Sequence, residues 1–208
     1  MTRARPGPGW RARYSPRMAA REEAEAIRSV TVTEVRVLDG PNLYFPRPAV
    51  KVSLSVPGYL RADPSVLLDL GARLELRRTR PGTAGSAQRQ RFVLRLVERV
   101  VRLVARAAGT SRLGVRVRPS GGPDQVVAAF PWRSRGRGEA LGHALGEVLP
   151  ALLEDPVGAS SHVQHAAQGV REARPGDPAR VVRPTVPVAS VTGTNGKTTT
   201  TRLLAHLV

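Results

Sequence analysis

The sequence predicts an α+β domain over residues 29–155, followed by the opening strand, phosphate loop and helix of an α/β nucleotide-binding unit at 186–208. Three observations carry this prediction. Two early stretches alternate valine with polar residues, the period of a half-buried strand. One long segment is amphipathic at helical spacing. The chain closes on VASVTGTNGKTTTTRLLAHLV, where a glycine turn separates a short apolar strand from a helix.

Residues 1–28 are dominated by Arg, Pro, Gly and Ala and offer no apolar face, so they are expected to form a disordered leader. They carry no apolar run after the basic start, which excludes a secretory signal. SVTVTEVRVL (29–38) and AVKVSLSV (49–56) are the alternating strands, joined through a DGPN turn (39–42) as a hairpin-like pair. PSVLLDLGARLEL (64–76) contains a short helix weakened by Gly71. QRFVLRLVERVVRLVARAAG (90–109) is the strongest helix. Val93, Leu96, Val97, Val100, Val104 and Ala107 share one face, and Gly109 is placed as its C-terminal stop. LGVRVR (113–118) and QVVAAFPW (125–132) are further strands. GEALGHALGEVLPALLED (138–155) is a helix with Leu141, Leu145, Val148 and Leu152 on one face and a kink expected at Pro150. Residues 156–185, rich in Pro, Gly, Ala and Ser, are expected to be a linker.

The formal charge of +17 invites a nucleic-acid partner. Of the 33 basic residues, however, 31 are Arg and only Lys51 and Lys197 are Lys, which reads as compositional drift toward Arg. Aromatics are 4% of the chain, so platforms for stacking bases are few. Composition therefore argues against nucleic acid as the principal partner. It also singles out Lys197, a compact ammonium in a chain that writes nearly every other cation as Arg. No apolar run approaches ~18 residues, so no membrane partner is expected. Cysteine is absent, which suits a reducing cytoplasm.

The terminal segment has the parts of a phosphate cradle. Gly193 and Gly196 let the backbone approach oxygen atoms, and Thr194 and Asn195 add inward-pointing amides. A helix N-terminus follows. Lys197 can reach the β- and γ-phosphates of ATP, and the Thr198 hydroxyl can contact Mg2+. A strict Walker A loop would need glycine at 191, where the chain has Val191. Two other helix faces carry charged or metal-ligating side chains at regular spacing. Arg91, Arg95, Arg99, Arg102 and Arg106 form a stripe expected to be a solvated helix face, and Glu139, His143 and Glu147 share a spacing that metal sites also use.

VTGTNGKTTTT resembles the loop of the Mur ligase family, G-T-x-G-K-T/S-T after a short apolar strand, and fits every position of that pattern. EVRVLDGPNLYFPRPAVKVSLSV resembles the opening of cyanophycin synthetases, with Gly40, Pro41 and Asn42 its sharpest element, and GEALGHALGEVLPALLED is similar to the helix that ends their N-terminal domain. The large ATP-grasp module those enzymes carry between the two regions has no room here. The resemblance implies an ATP-dependent amide-bond-forming ligase with a carboxylate and an amine as substrates. ATP and Mg2+ would be held through Gly193, Thr194, Asn195, Gly196, Lys197, Thr198 and Thr199. The remaining magnesium ligands and the amino-acid site would lie downstream, so the 208 residues are expected to be the N-terminal part of such a ligase and inactive alone. The competing expectations are a stand-alone basic module for an acidic polymer or nucleic acid, and another kind of P-loop NTPase.

Overall fold

The computed structural model describes residues 29–76, 79–178, 185, 191 and 196–207. The expected leader at 1–28 and all of the expected terminal strand except Val191 lie outside the described residues. Within them the chain has a mixed α/β fold with one four-stranded sheet and six helices. The strands are β1 (Thr31–Leu38), β2 (Ala49–Ser55), β3 (Arg116–Pro119) and β4 (Gln125–Pro131). Their order is β1-β2-β4-β3, and every neighbouring pair is antiparallel.

The strand pattern explains which face is covered. In β2, Val50, Val52 and Leu54 are fully buried, while Lys51, Ser53 and Ser55 point to the opposite, half-exposed face. In β1 the inward valines change parity, from Val32 to Val35 and Val37, which strict alternation forbids. A register shift between Val32 and Glu34 resolves this by inserting one extra residue, so all three valines reach the core. On the outer face Phe45 folds over Ala49 and Ala129 as a small second cluster. The turn before it is built by Asn42, whose Oδ1 accepts from the Tyr44 and Phe45 amides at 3.0 Å each.

Helix α1 (Pro57–Arg61) was not evident in the sequence; α2 (Pro64–Arg73) follows it, with Asp63 capping the Ser65 amide at 2.7 Å. Helix α3 (Ala87–Ala107) begins at Ser86, whose hydroxyl accepts from the Arg89 amide. It stops where the Thr110 amide reaches back to the Ala105 carbonyl across Gly109, a residue at φ 95° that only glycine adopts comfortably. Its inward face, including Phe92, Leu96, Val97, Val100 and Val104, is fully buried. Arg89 is fully buried too, and its guanidinium donates to the carbonyls of Tyr59, Leu60, Ala62, Pro81 and Gly82. The Tyr59 hydroxyl donates to Leu149 O at 2.7 Å, and burial raises its pKa so far that it stays a neutral donor.

Helix α4 (Arg135–Glu154) continues through Pro150. Its leucines are buried as expected, but its closest approach to the sheet is made by glycines. A Cβ on Gly142 would lie 2.8 Å from Val35 Cγ1 and 3.2 Å from Val52 Cγ2. Gly142→Ala is therefore expected to destabilise the domain. Overpacking costs about 1–3 kcal/mol, more than the ~1 kcal/mol that alanine gains in helix propensity. Gly169→Ala, in a helix interior with open space around the new methyl, should instead stabilise by about 0.5–1 kcal/mol. Urea denaturation of both variants checks this; equal effects would mean that the α4–sheet contact is looser than described.

The expected linker at 156–185 is corrected over Ala159–Glu172. Residues Ala159–Glu172 form α5, which packs on α3 and α4 through Ala159, Val163, Ala166, Ala167 and Val170, all buried. Arg171 ties its end to the Ala107 carbonyl at 2.7 Å. The chain then returns to the start of α4. The Gly136 amide and the Ser134 hydroxyl both donate to Pro175 O, and Ser134 bridges Pro178. Residues 179–184 lie outside the described part.

Candidate functional site

Helix α6 (Lys197–Leu207) starts at the lysine that the sequence singled out. The residue before it, Gly196, has φ 78°, in the left-handed region where glycine is free and other residues are strained. A glycine in that conformation at the mouth of a helix turns the chain sharply and leaves the first-turn amides facing outward. The Gly196 carbonyl accepts from the Thr200 amide at 2.9 Å, so the helical ladder is already established at this point. Lys197, Thr198 and Thr199 are all exposed on the first turn. The Thr201 hydroxyl turns back to the Lys197 carbonyl at 2.8 Å and is spent on the helix itself. Gly196, Lys197, Thr198 and Thr199 thus stand together at one helix N-terminus. Gly193, Thr194 and Asn195 lie outside the described residues.

The first turn suits a phosphate chemically: outward amides, the positive end of the helix dipole and an ammonium at the first position. The only side-chain oxygens its described first-turn residues could offer a magnesium ion are threonine hydroxyls, Thr198 first among them. Mg2+ demands six oxygens, so most would have to come from phosphate and water. Among the described residues no group of three His, Cys, Asp or Glu side chains is placed to hold a metal, and this includes the Glu139, His143 and Glu147 face. No helix among them is long and apolar enough to cross a membrane.

The arginine stripe on α3 divides in two. Arg95 bonds the Thr79 hydroxyl, while Arg99 bonds Leu74 O and pairs with Glu75 at 2.7 Å. Towards the helix end, Arg99, Arg102 and Arg106 line a cleft together with Arg47 and Arg112. The last two come from loops and could not be joined to the helix by spacing alone. His162, given no role by the sequence, meets the Asp155 carboxylate at 3.2 Å. The Gly158 amide, with His162, holds that carboxyl below its usual range.

Fold and motif define the class at a coarse level: a mixed α/β chain whose only glycine-lysine-threonine step opens a helix. The chain matches no protein-family model and no curated protein.

Proposed function

We propose that these residues serve an ATP-dependent amide ligase of the Mur type, with GTNGKTT as its nucleotide loop. The observation that carries this reading is Lys197, one of two lysines in the chain, exposed at the first position of α6 directly after a left-handed glycine. ATP supplies the phosphoryl group that turns a substrate carboxylate into an acyl phosphate, from which an attacking amine displaces phosphate. The protein's task is to hold the phosphates in line and to balance their charge. Lys197 would meet the β- and γ-phosphate oxygens, the backbone from Gly193 to Gly196 would donate amides, and Thr198 would turn its hydroxyl toward Mg2+. Thr199 would hydrogen-bond at the same turn. Further magnesium ligands and the acceptor site belong, in this proposal, to residues beyond these 208, and the α+β domain accompanies the ligase as a separate module.

The coding sequence past codon 208 tests the proposal. It is expected to encode further β/α units with acidic and histidine side chains suited to magnesium. Unrelated sequence after a genuine stop would reject the ligase and favour a stand-alone basic module.

A further inference from the structure

The cleft at the C-terminal end of α3 has a volume of about 520 Å3, and five of its lining residues are arginines: Arg47, Arg99, Arg102, Arg106 and Arg112. Thr110 adds a hydroxyl, and no acidic residue lines it. Two of the five are neutralised from outside the cleft, Arg99 by Glu75 at 2.7 Å and Arg102 by Glu98 at 2.6 Å. Among the described residues Arg47, Arg106 and Arg112 have no carboxylate within ion-pair distance.

Three uncompensated guanidinium groups in one concavity repel one another, and a protein gains nothing in stability from the arrangement. The helix dipole offsets part of this for Arg106, but a helix C-terminus is worth only about half a negative charge. Low-dielectric walls concentrate the remaining positive field inside the cleft. Arginine also presents a planar fork that meets phosphate or carboxylate oxygens two at a time.

We propose that this cleft binds a compact multivalent oxyanion of the diphosphate type. Two linked phosphoryl groups carry about three negative charges near neutral pH, which matches the three free guanidinium groups. No aromatic side chain lines the cleft, so nothing there would stack a nucleobase, and the ligand is recognised through its phosphates alone. The proposal is independent of the ligase reading, since none of these residues belongs to the loop at 193–199.

Isothermal titration of the 208-residue chain with sodium pyrophosphate at ~0.15 M salt tests it. One saturable site is expected. Arg47→Gln, Arg106→Gln and Arg112→Gln should each weaken binding about tenfold. All three side chains are exposed, so circular dichroism should show an unchanged fold. Arg91→Gln, exposed on the same helix but outside the cleft, should leave binding as it was. Three results would overturn the proposal: no saturable heat, equal weakening by Arg91→Gln, or tighter binding of citrate than of pyrophosphate. A long polyanion that binds where pyrophosphate does not would overturn it as well, by showing that the surface reads extended charge.

Discussion

Arg89→Met is expected to lower the melting temperature of the domain by ~10 °C or more. Methionine keeps the length and the packing of the arginine stem but has no donor. The carbonyls of Tyr59, Leu60 and Ala62 lie at and just after the end of α1, where helical carbonyls have no partner of their own. Pro81 O and Gly82 O belong to the loop before α3. All five would lose their donor, and the bonds to Tyr59 and Pro81 are the fully buried ones. Each orphaned buried acceptor costs about 1–3 kcal/mol, so these two alone are a large share of the about 5–15 kcal/mol total stability of a domain. Desolvation draws the Arg89 pKa down and the Asp63 carboxylate opposes this, but a guanidinium remains charged at neutral pH. Arg89→Lys should fall between the two, because an ammonium keeps the charge and offers three donors to five acceptors. Calorimetric melting of both variants checks this. A methionine variant melting within about 2 °C of the parent would mean that water replaces the guanidinium without cost.

Lys197→Ala, made in a ligase that carries these residues, is expected to lower ATP-dependent amide formation about a hundredfold or more. The ammonium would balance charge that builds up between the β- and γ-phosphates as the bond between them breaks, and alanine leaves that charge unmet. Lys197→Arg should rescue little, since the broad, planar guanidinium does not occupy the place of a compact ammonium. A second readout separates this role from a structural one. An acyl-phosphate derivative of ATP transfers its acyl group to a lysine amine beside the phosphates, and this chain offers only Lys51 and Lys197. Lys51 sits on the sheet face paired with Glu34 at 2.7 Å and serves as the internal reference. Labelling should fall on Lys197 and be blocked by excess ATP. Equal labelling of both lysines, or full ligation by the alanine variant, would remove the loop from the mechanism.

What could be read from the sequence followed the strength of the local pattern. Helix α3 was legible because its apolar positions are large and regularly spaced, and β1 and β2 because valine alternates there with polar residues. The small apolar residues misled. Helix α5 buries two valines and three alanines at helical spacing, but alanine carries little hydrophobic signal and the flanking Pro and Gly suggested a linker. The glycines by which α4 meets β1 and β2 gave no signal of their own, since a close approach is visible only when both partners are placed. Arg89 was indistinguishable from its solvated neighbours, because its acceptors come from segments up to thirty residues away. The terminal glycine-lysine-threonine segment was the reverse case. Its residue types suggested a phosphate loop, and what the structure describes there is the left-handed Gly196 and the helix start at Lys197. The basic cleft depended on two loop arginines whose position no periodicity specifies.

The contact that holds Pro175 and Pro178 against the start of α4 also closes a circuit. Ser134 and Pro175 stand 41 positions apart in the chain, yet one hydrogen bond joins them. The pair of helices α4 and α5 is thereby clasped at its open end, where the Pro175 carbonyl takes both the Ser134 hydroxyl and the Gly136 amide. Fraying from the end of α5 must first give up both bonds, so the two helices are expected to open as one unit rather than one after the other.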